Sequence, residues 1–140
     1  MKAEVFLPDD YRPAEDEPFM NPRQLEYFRR KLIAWKEEIL LETQKTLEEL
    51  QRENDKLIDP ADRASKEAER ALELRARDRQ RKLIAKIDAA LRRIEEGTYG
   101  YCEETGKPIS LKRLEARPIA TLCLEAQERH ERKEKVFRDD

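Results

Sequence analysis

Two cysteines in the last third of the sequence have a spacing that suggests metal chemistry. A pair of zinc knuckles would place a second cysteine three positions after Cys102 and after Cys123, yet those positions hold Thr105 and Ala126. A closed structural zinc site needs four tetrahedral ligands, which thiolates in C-x2-C pairs supply well. Because threonine and alanine cannot replace a thiolate, the sequence predicts no tightly bound zinc. We interpret these four residues as degenerate metal positions.

The single histidine does not complete a metal site either. His130 lies seven residues after Cys123, which in a helix is roughly 10 Å and too far for one shared ion. The simplest interpretation is that both cysteines pack as small, partly buried hydrophobic side chains. A thiol-based redox or metal sensor working through Cys102 and Cys123 is the alternative.

A second distinctive set of residues is the acidic segment 58–64, with the sequence IDPADRA, between two long charged helical runs. We predict that the chain turns back here. Asp59 and Pro60 match an N-cap and a first helical position, and Asp62 falls in the first turn, where a carboxylate favours the helix dipole. Local capping therefore explains both aspartates. The alternative is that this turn presents its charge to a partner.

A run of cations follows in the second helical segment, and its members are Arg75, Arg77, Arg79, Arg81 and Lys82. Glu73 with Arg77 and Asp78 with Lys82 are i,i+4 pairs, so a solvated helix face is the default interpretation. The surplus of cations also suits an acidic partner surface or a phosphate ligand. No nucleophile with a base, no phosphate loop and no catalytic carboxylate pair is recognisable, so we expect no enzyme.

The composition excludes several classes of protein. Charged residues make up 44% of the 140 residues and aromatic residues 6%, but the net charge is only −2. Such a balance gives no global attraction to nucleic acid, so we expect a protein partner rather than sequence-specific DNA binding. No segment suits a signal peptide or a membrane span, and two cysteines fit a reducing cytoplasm.

Two long helices are predicted to form an antiparallel hairpin. Asn21 suits an N-cap, Pro22 the first helical position and Gln24 a capping box. Apolar residues then recur at spacings of three and four, which is typical of a coiled-coil seam: Leu25, Phe28, Leu32, Trp35 and Ile39. The second seam is predicted at Leu72, Ala76, Leu83, Ile87, Ala90 and Ile94, with Arg79 and Gln80 interrupting it. This helix should stop at Gly97.

The sequence thus predicts a mainly α fold in three parts. Residues 1–20 are an extended amino-terminal arm with three prolines, and residues 21–97 are the antiparallel coiled-coil hairpin with its tip near 58–64. Residues 98–140 form a small zinc-ribbon-like globular end with degenerate knuckles. Short strand and turn pieces are expected there, followed by a helix from about Leu122 to Phe137.

Four ordered motifs make the chain resemble the DksA/TraR family of bacterial RNA polymerase-binding regulators. They are DPADRA at 59–64, LELRARDR at 72–79, YGYC at 99–102 and RLEARP at 113–118. The resemblance runs from about residue 20 to the carboxyl-terminal helix. Four-cysteine members of the family bind structural zinc, whereas this chain resembles the cysteine-poor variety that folds without it.

The resemblance implies a monomeric regulator that binds RNA polymerase and inserts its coiled coil through the secondary channel. Asp59, Asp62 and Ala64 would then act at the tip on the catalytic elements and destabilise open promoter complexes. Ribosomal-RNA promoters would be repressed and some biosynthetic promoters activated. Arg79 and Lys82 match positions on the hairpin that face the polymerase.

The resemblance also implies a co-regulator, guanosine tetraphosphate (ppGpp), bound between this protein and the polymerase. Leu83, Lys86 and Arg117 match the positions that contact it, whereas one family lysine is replaced by Gln127. Lysine and arginine are suited to phosphate recognition. The alternatives to a polymerase regulator are a structural coiled-coil adaptor whose tip is only a cap, and a channel-binding factor that promotes transcript cleavage.

Overall fold

The structure is a computed structural model that describes residues 5–56 and 61–138, with side chains for residues 5–52 and 64–136. Four helices occur in these ranges: α1 (Pro22–Lys56), α2 (Ala61–Glu96), α3 (Leu111–Ala116) and α4 (Leu124–Arg138). The described residues contain no strand, and their one bridge pairs Tyr101 with Pro108. The expected mainly α fold is confirmed.

The start of α1 is fixed by a capping box of modified form. The Asn21 side-chain oxygen accepts hydrogen bonds from the backbone N–H groups of Arg23 (2.9 Å) and Gln24 (3.1 Å). These bonds satisfy donors that have no partner inside the helix. The Gln24 side chain reaches back one residue further than in the usual box and accepts from the Met20 N–H at 2.8 Å. The predicted helix start is therefore confirmed.

Side-chain bonds between α1 and α2 establish that the helices run antiparallel within residues 33–88. Lys36 Nζ lies 2.7 Å from Asp88 Oδ1, and Thr43 Oγ1 contacts Gln80 Oε1. From Lys36 to Thr43 the contacts move seven residues forward on α1, and from Asp88 to Gln80 they move eight residues back on α2. The two helices therefore run in opposite directions. Apolar seam residues are buried on both helices: Phe28, Leu32, Ile39, Ile87, Ala90 and Ile94.

The predicted second seam is wrong in the half of α2 nearer the turn. Leu72 is 62% exposed and Ala76 is also exposed, whereas Glu73 and Gln80 are half-buried. The inward positions here continue the seven-residue repeat of Ile87 and Ile94, and that repeat falls on polar side chains. Gln80 is therefore part of the seam and does not interrupt it.

Helix α2 ends at a Schellman motif, as the glycine predicts. Gly97 has φ +79°, a left-handed conformation that glycine adopts without strain. Its N–H bonds the Ile94 carbonyl at 3.3 Å, and the Thr98 N–H bonds the Arg93 carbonyl at 2.9 Å. The chain leaves the helix here and enters the globular end.

The chain divides into two compact units, one of residues 33–88 and one of residues 1–32 with 89–140. The second unit has its own apolar core, which includes the ring contact of Phe28 with Tyr99 at 5.6 Å between centroids. The arm belongs to this unit: the buried Gln24 side chain donates to the Ala14 carbonyl at 3.3 Å. Other buried side chains of the unit are Ile109, Leu111, Leu114, Ile119 and Ala126.

Two features of the globular end differ from the sequence prediction. Residues 111–116 form the short helix α3, which we did not predict, with the Ser110 hydroxyl accepting from the Arg113 N–H at 3.2 Å. The last helix begins at Leu124, two residues later than expected. Along the part of the chain that the structure describes, no helix is long and apolar enough to cross a membrane.

Candidate functional site

The degenerate knuckle is built from two turns joined by backbone hydrogen bonds. In the first turn the Cys102 N–H bonds the Lys107 carbonyl at 2.8 Å, and the Gly106 N–H bonds the Cys102 carbonyl at 2.9 Å. The second turn is attached through the Glu103 N–H, which bonds the Thr121 carbonyl at 2.9 Å. The two cysteine-bearing segments are therefore brought together.

Gly100, in the YGYC motif, allows the arm to approach the first turn closely. It has φ +92°, and a Cβ placed on it would lie 3.0 Å from Met20 Cε and 3.2 Å from Phe19 Cζ. Phe19 also packs edge-on against Tyr101, with 5.3 Å between ring centroids. The glycine is thus required by conformation and by the space that the arm occupies.

The Thr105 hydroxyl lies beside the Cys123 thiol. Thr105 Oγ1 is 3.9 Å from Cys123 Sγ. Burial opposes ionisation of Cys102, but hydrogen bonds from Thr105, from the Cys123 backbone and from the Glu104 backbone outweigh it. They lower the pKa of the Cys102 thiol from 9.0 to about 6. A buried sulfur is thereby stabilised as a thiolate.

The residues present do not fit a closed zinc site. Ala126 is fully buried and offers only a methyl group, while Thr105 offers a neutral hydroxyl that already contacts the Cys123 sulfur at 3.9 Å. Within the described ranges no group of three His, Cys, Asp or Glu residues could hold a metal ion. Two thiols and a hydroxyl fall short of the four ligands that structural zinc takes.

His130 is bonded to a carboxylate beside the knuckle. Its Nε2 contacts Glu104 Oε1, and Arg129 lies 3.8 Å from the other carboxylate oxygen. The hydrogen bond with His130 is the main cause that lowers the pKa of Glu104. These contacts attach α4 to the first turn. No local spacing predicted this pairing, because the partners are far apart in the chain.

The predicted tip lies mostly outside the described residues. Helix α1 ends at Lys56 and α2 begins at Ala61, and residues 58–60 of the predicted segment 58–64 lie outside the described residues. Asp59 and the side chain of Asp62 are not described, and the capping proposed for them stays a prediction. Ala64 is exposed.

Arg79 and Lys82, the predicted polymerase-facing cations, are both exposed on α2. Lys82 Nζ is 3.1 Å from Asp78 Oδ2, and Arg77 is 2.7 Å from Glu73, so both predicted i,i+4 pairs are confirmed. The hydrogen bond from Lys82 is the largest cause that lowers the pKa of Asp78. Arg79 forms no hydrogen bond or ion pair with any other described residue.

The predicted ppGpp contacts are distributed over the two units. Leu83 is half-buried and Lys86 exposed in the unit of residues 33–88, and Arg117 is exposed in the other unit. Neither cation is ion-paired in the described part of the protein. Gln127 carries no charge, and its amide donates to Glu131 at 3.3 Å.

One cluster that the sequence did not reveal joins α1 to α3. Lys31 Nζ lies 2.5 Å from Glu115 Oε2 and 2.9 Å from the Glu115 carbonyl oxygen. Burial and the hydrogen bond to this carboxylate raise the pKa of Tyr27 to about 12. Burial opposes the charge of Glu115, but bonds from Lys31 and Tyr27 outweigh it and lower the pKa of Glu115.

A long helical hairpin, a two-turn knuckle and a carboxyl-terminal helix together define the class of helical-hairpin proteins with a zinc-finger-like end. Comparison with family models identifies the family within this class. Residues 24–94 match the model of the DnaK suppressor protein DksA, N-terminal domain, and residues 97–132 match the prokaryotic dksA/traR C4-type zinc finger. The chain belongs to the DksA/TraR family.

Individual relatives agree with this assignment. The chain is 71% identical over 131 residues to the RNA polymerase-binding transcription factor DksA of Caulobacter vibrioides, covering 94% of this chain and 92% of that protein. It is 44% identical over 127 residues to the DksA of Escherichia coli K12, covering 91% and 84%. The solved structure of transcription factor DksA2 from Pseudomonas aeruginosa matches with a TM-score of 0.76 and 44% identity, covering 84% of this chain and 90% of that one.

Proposed function

We propose that this protein regulates transcription by binding bacterial RNA polymerase and inserting the turn of its hairpin through the secondary channel. By destabilising open promoter complexes, the protein would repress ribosomal-RNA promoters and activate some biosynthetic promoters. The observation that carries the proposal is 71% identity to a factor named as RNA polymerase-binding, over nearly the full length of both proteins. No sequence-specific DNA contact is required, and the protein would act as a monomer in the cytoplasm.

The hairpin supplies the surface and the charge that such insertion needs. The cations Arg79 and Lys82 stand exposed on α2, where they suit an acidic polymerase surface. We assign Asp59 and Asp62, with Ala64 beside them, to action at the active centre. A carboxylate presented there would perturb the mobile catalytic elements around bound metal and substrate.

We assign ppGpp as co-regulator, bound between this protein and the polymerase. Lys86 and Arg117 are exposed and not ion-paired within the described residues, which leaves their donors available to phosphate oxygens. Leu83 would pack beside the nucleotide. Because Gln127 supplies no charge, the phosphate contact depends on Lys86 and Arg117.

We further assign the protein to the zinc-independent variety of the family. Its knuckle carries a hydroxyl and a methyl group at two of the four ligand positions, and the hydroxyl contacts the Cys123 sulfur. Hydrogen bonds and apolar packing would then replace the metal. A cell short of zinc would keep this regulator in its folded form.

The test is transcription in vitro with purified polymerase at a ribosomal-RNA promoter, with and without ppGpp. The Asp62→Asn variant keeps side-chain size and local capping but removes one charge. We expect it to bind polymerase like the parent protein and to lose most of its repression. Asp88→Asn, which removes a carboxylate from the same helix far from the turn in sequence, is the matched control and should repress normally. Unchanged repression by Asp62→Asn would leave the turn with a structural role only.

A further inference from the structure

Helix α3 is too short to hold its orientation alone. It has six residues, and isolated helices of that length are not stable in water. Its last turn is instead held by Lys31 on α1, which bonds both the carboxylate and the main-chain carbonyl of Glu115. Tyr27 lies one helical turn earlier on α1, with its ring centroid 5.9 Å from Lys31 Nζ, and burial together with the same carboxylate raises the pKa of its hydroxyl.

The contact between Lys31 and Glu115 orients the end of α3 more than it stabilises the fold. The Lys31 and Glu115 side chains are 35% and 32% exposed, and ion pairs with that exposure stabilise a fold only slightly. Two bonds from one ammonium group to one residue, however, define both the position and the rotation of the end of α3. A cation at the carbonyl end of a helix is also favoured by the helix dipole.

Arg117 directly follows the last residue of α3. Its N–H bonds the Arg113 carbonyl at 2.7 Å, and its own carbonyl accepts from the Ala120 N–H at 3.0 Å. The next residue is fixed by the buried Tyr99 hydroxyl, which donates to the Pro118 carbonyl at 2.8 Å. A guanidinium that is exposed and not ion-paired in the described structure therefore stands on a backbone held from both sides.

We propose that Lys31 and Tyr27, acting through Glu115, are positioning residues that preorganise Arg117 for a phosphate group of ppGpp. The inference rests on the proposed function, which gives Arg117 its ligand. Lys31 itself does not touch the nucleotide. Its effect arises because the backbone that carries Arg117 is held in place before binding, so less conformational entropy is lost on binding.

The chain provides a closely matched control. Lys36, also on α1, forms an ion pair with Asp88 at 2.7 Å, and those side chains are 34% and 44% exposed. Lys31→Met and Lys36→Met therefore each remove one lysine from a similarly exposed interhelical pair. Only Lys31→Met releases the segment that carries Arg117.

The experiment measures the ppGpp concentration that gives half of the nucleotide-dependent repression in transcription with purified polymerase. We expect Lys31→Met to raise it by roughly threefold to tenfold, which is no more than the cost of ordering the backbone of about one residue, and to leave nucleotide-free repression unchanged. Tyr27→Phe should raise it less, because Lys31 still holds Glu115. Lys36→Met should change neither quantity, and Lys31→Arg should restore the parental value.

Three outcomes separate this inference from the function on which it rests. Equal half-effect concentrations for Lys31→Met and Lys36→Met would overturn the positioning role. If Arg117→Ala leaves the nucleotide response intact, the ligand assignment fails and the positioning role fails with it. If Lys31→Met does not fold, Glu115→Gln replaces it: this variant keeps the main-chain acceptor, and an unchanged half-effect concentration there would also reject the inference.

Discussion

Among single residues, Cys102 is the one whose contacts would hold the knuckle together in the zinc-independent fold that we propose. In a zinc knuckle the metal ion neutralises the charge of each thiolate. A buried thiolate without a metal needs hydrogen-bond donors instead. Here the Thr105 hydroxyl and the backbone groups of Cys123, Thr105 and Glu104 supply them. The donors come from both turns, so the sulfur joins the two segments as a shared ligand would.

Stability should therefore depend on pH through Cys102. Its pKa is about 6 in the folded protein, against 9.0 for an ordinary cysteine. A group whose folded pKa is depressed contributes stability above its unfolded pKa, and that contribution is lost as pH falls through the folded pKa. We expect the free energy of unfolding in urea to rise between about pH 6 and pH 9 from this group.

The matched variants for this prediction are Cys102→Ser and Cys123→Ser. The first removes the titrating thiol and should flatten the rise of unfolding free energy over that range, because a serine hydroxyl does not ionise there. The second should retain the rise. Thr105→Val, which removes one donor, should raise the pKa of Cys102 as followed by thiolate absorbance. The same pH slope in the parent and in Cys102→Ser would contradict the assignment.

The seam between the two hairpin helices changes from apolar to polar toward the turn. Ile39 and Ile87 are buried, but the next layer toward the turn pairs Thr43 with Gln80. Beyond it the inward position of α2 is Glu73, while Leu72 is exposed. Because apolar burial is the main stabilising contribution between helices, the helices are held less strongly toward the turn.

Gln80→Leu should strengthen this weak layer. Thr43 keeps a hydrogen bond to the Ile39 carbonyl at 2.8 Å, so the substitution leaves its hydroxyl satisfied. We expect a gain of about 1 kcal/mol in the free energy of unfolding from the added apolar burial, measured by chemical denaturation. Leu72→Gln is the control on the exposed face and should change stability by less than about 0.5 kcal/mol. A larger loss from Leu72→Gln would mean that Leu72 packs in the seam.

The two long helices show which structural features could be predicted from the sequence. Asn21, Pro22, Gln24 and Gly97 predicted the helix ends correctly because capping depends on residues close in sequence. The seam near the turn was predicted wrongly because apolar spacing selected Leu72, whereas the pairing of the helices decides which residue faces inward. Contacts between distant residues, such as Lys31 with Glu115 or Glu104 with His130, gave no local signal at all.

In the molecule as a whole, the knuckle is not an isolated finger, and packing within a larger unit would replace the metal in the zinc-independent fold that we propose. Domains below about 40 residues usually need a metal, disulfides or oligomerisation to be stable. Here the knuckle belongs to a larger unit that also includes the arm, the start of α1 and the end of α2. Phe28 packs on Tyr99 and Phe19 packs on Tyr101, so aromatic rings from outside the knuckle complete its core.

This arrangement predicts that neither folding nor transcriptional repression responds to chelators. The purified protein should contain less than about one tenth of an equivalent of zinc, since two of four ligands are missing, and its melting temperature should not change with chelator. The Thr105→Cys/Ala126→Cys double variant restores four cysteines at the ligand positions. It should bind about one equivalent of zinc and melt at a lower temperature once a chelator removes it. One tightly held equivalent in the parent protein, with a chelator-dependent melting temperature, would instead mean that the knuckle recruits ligands beyond Cys102 and Cys123.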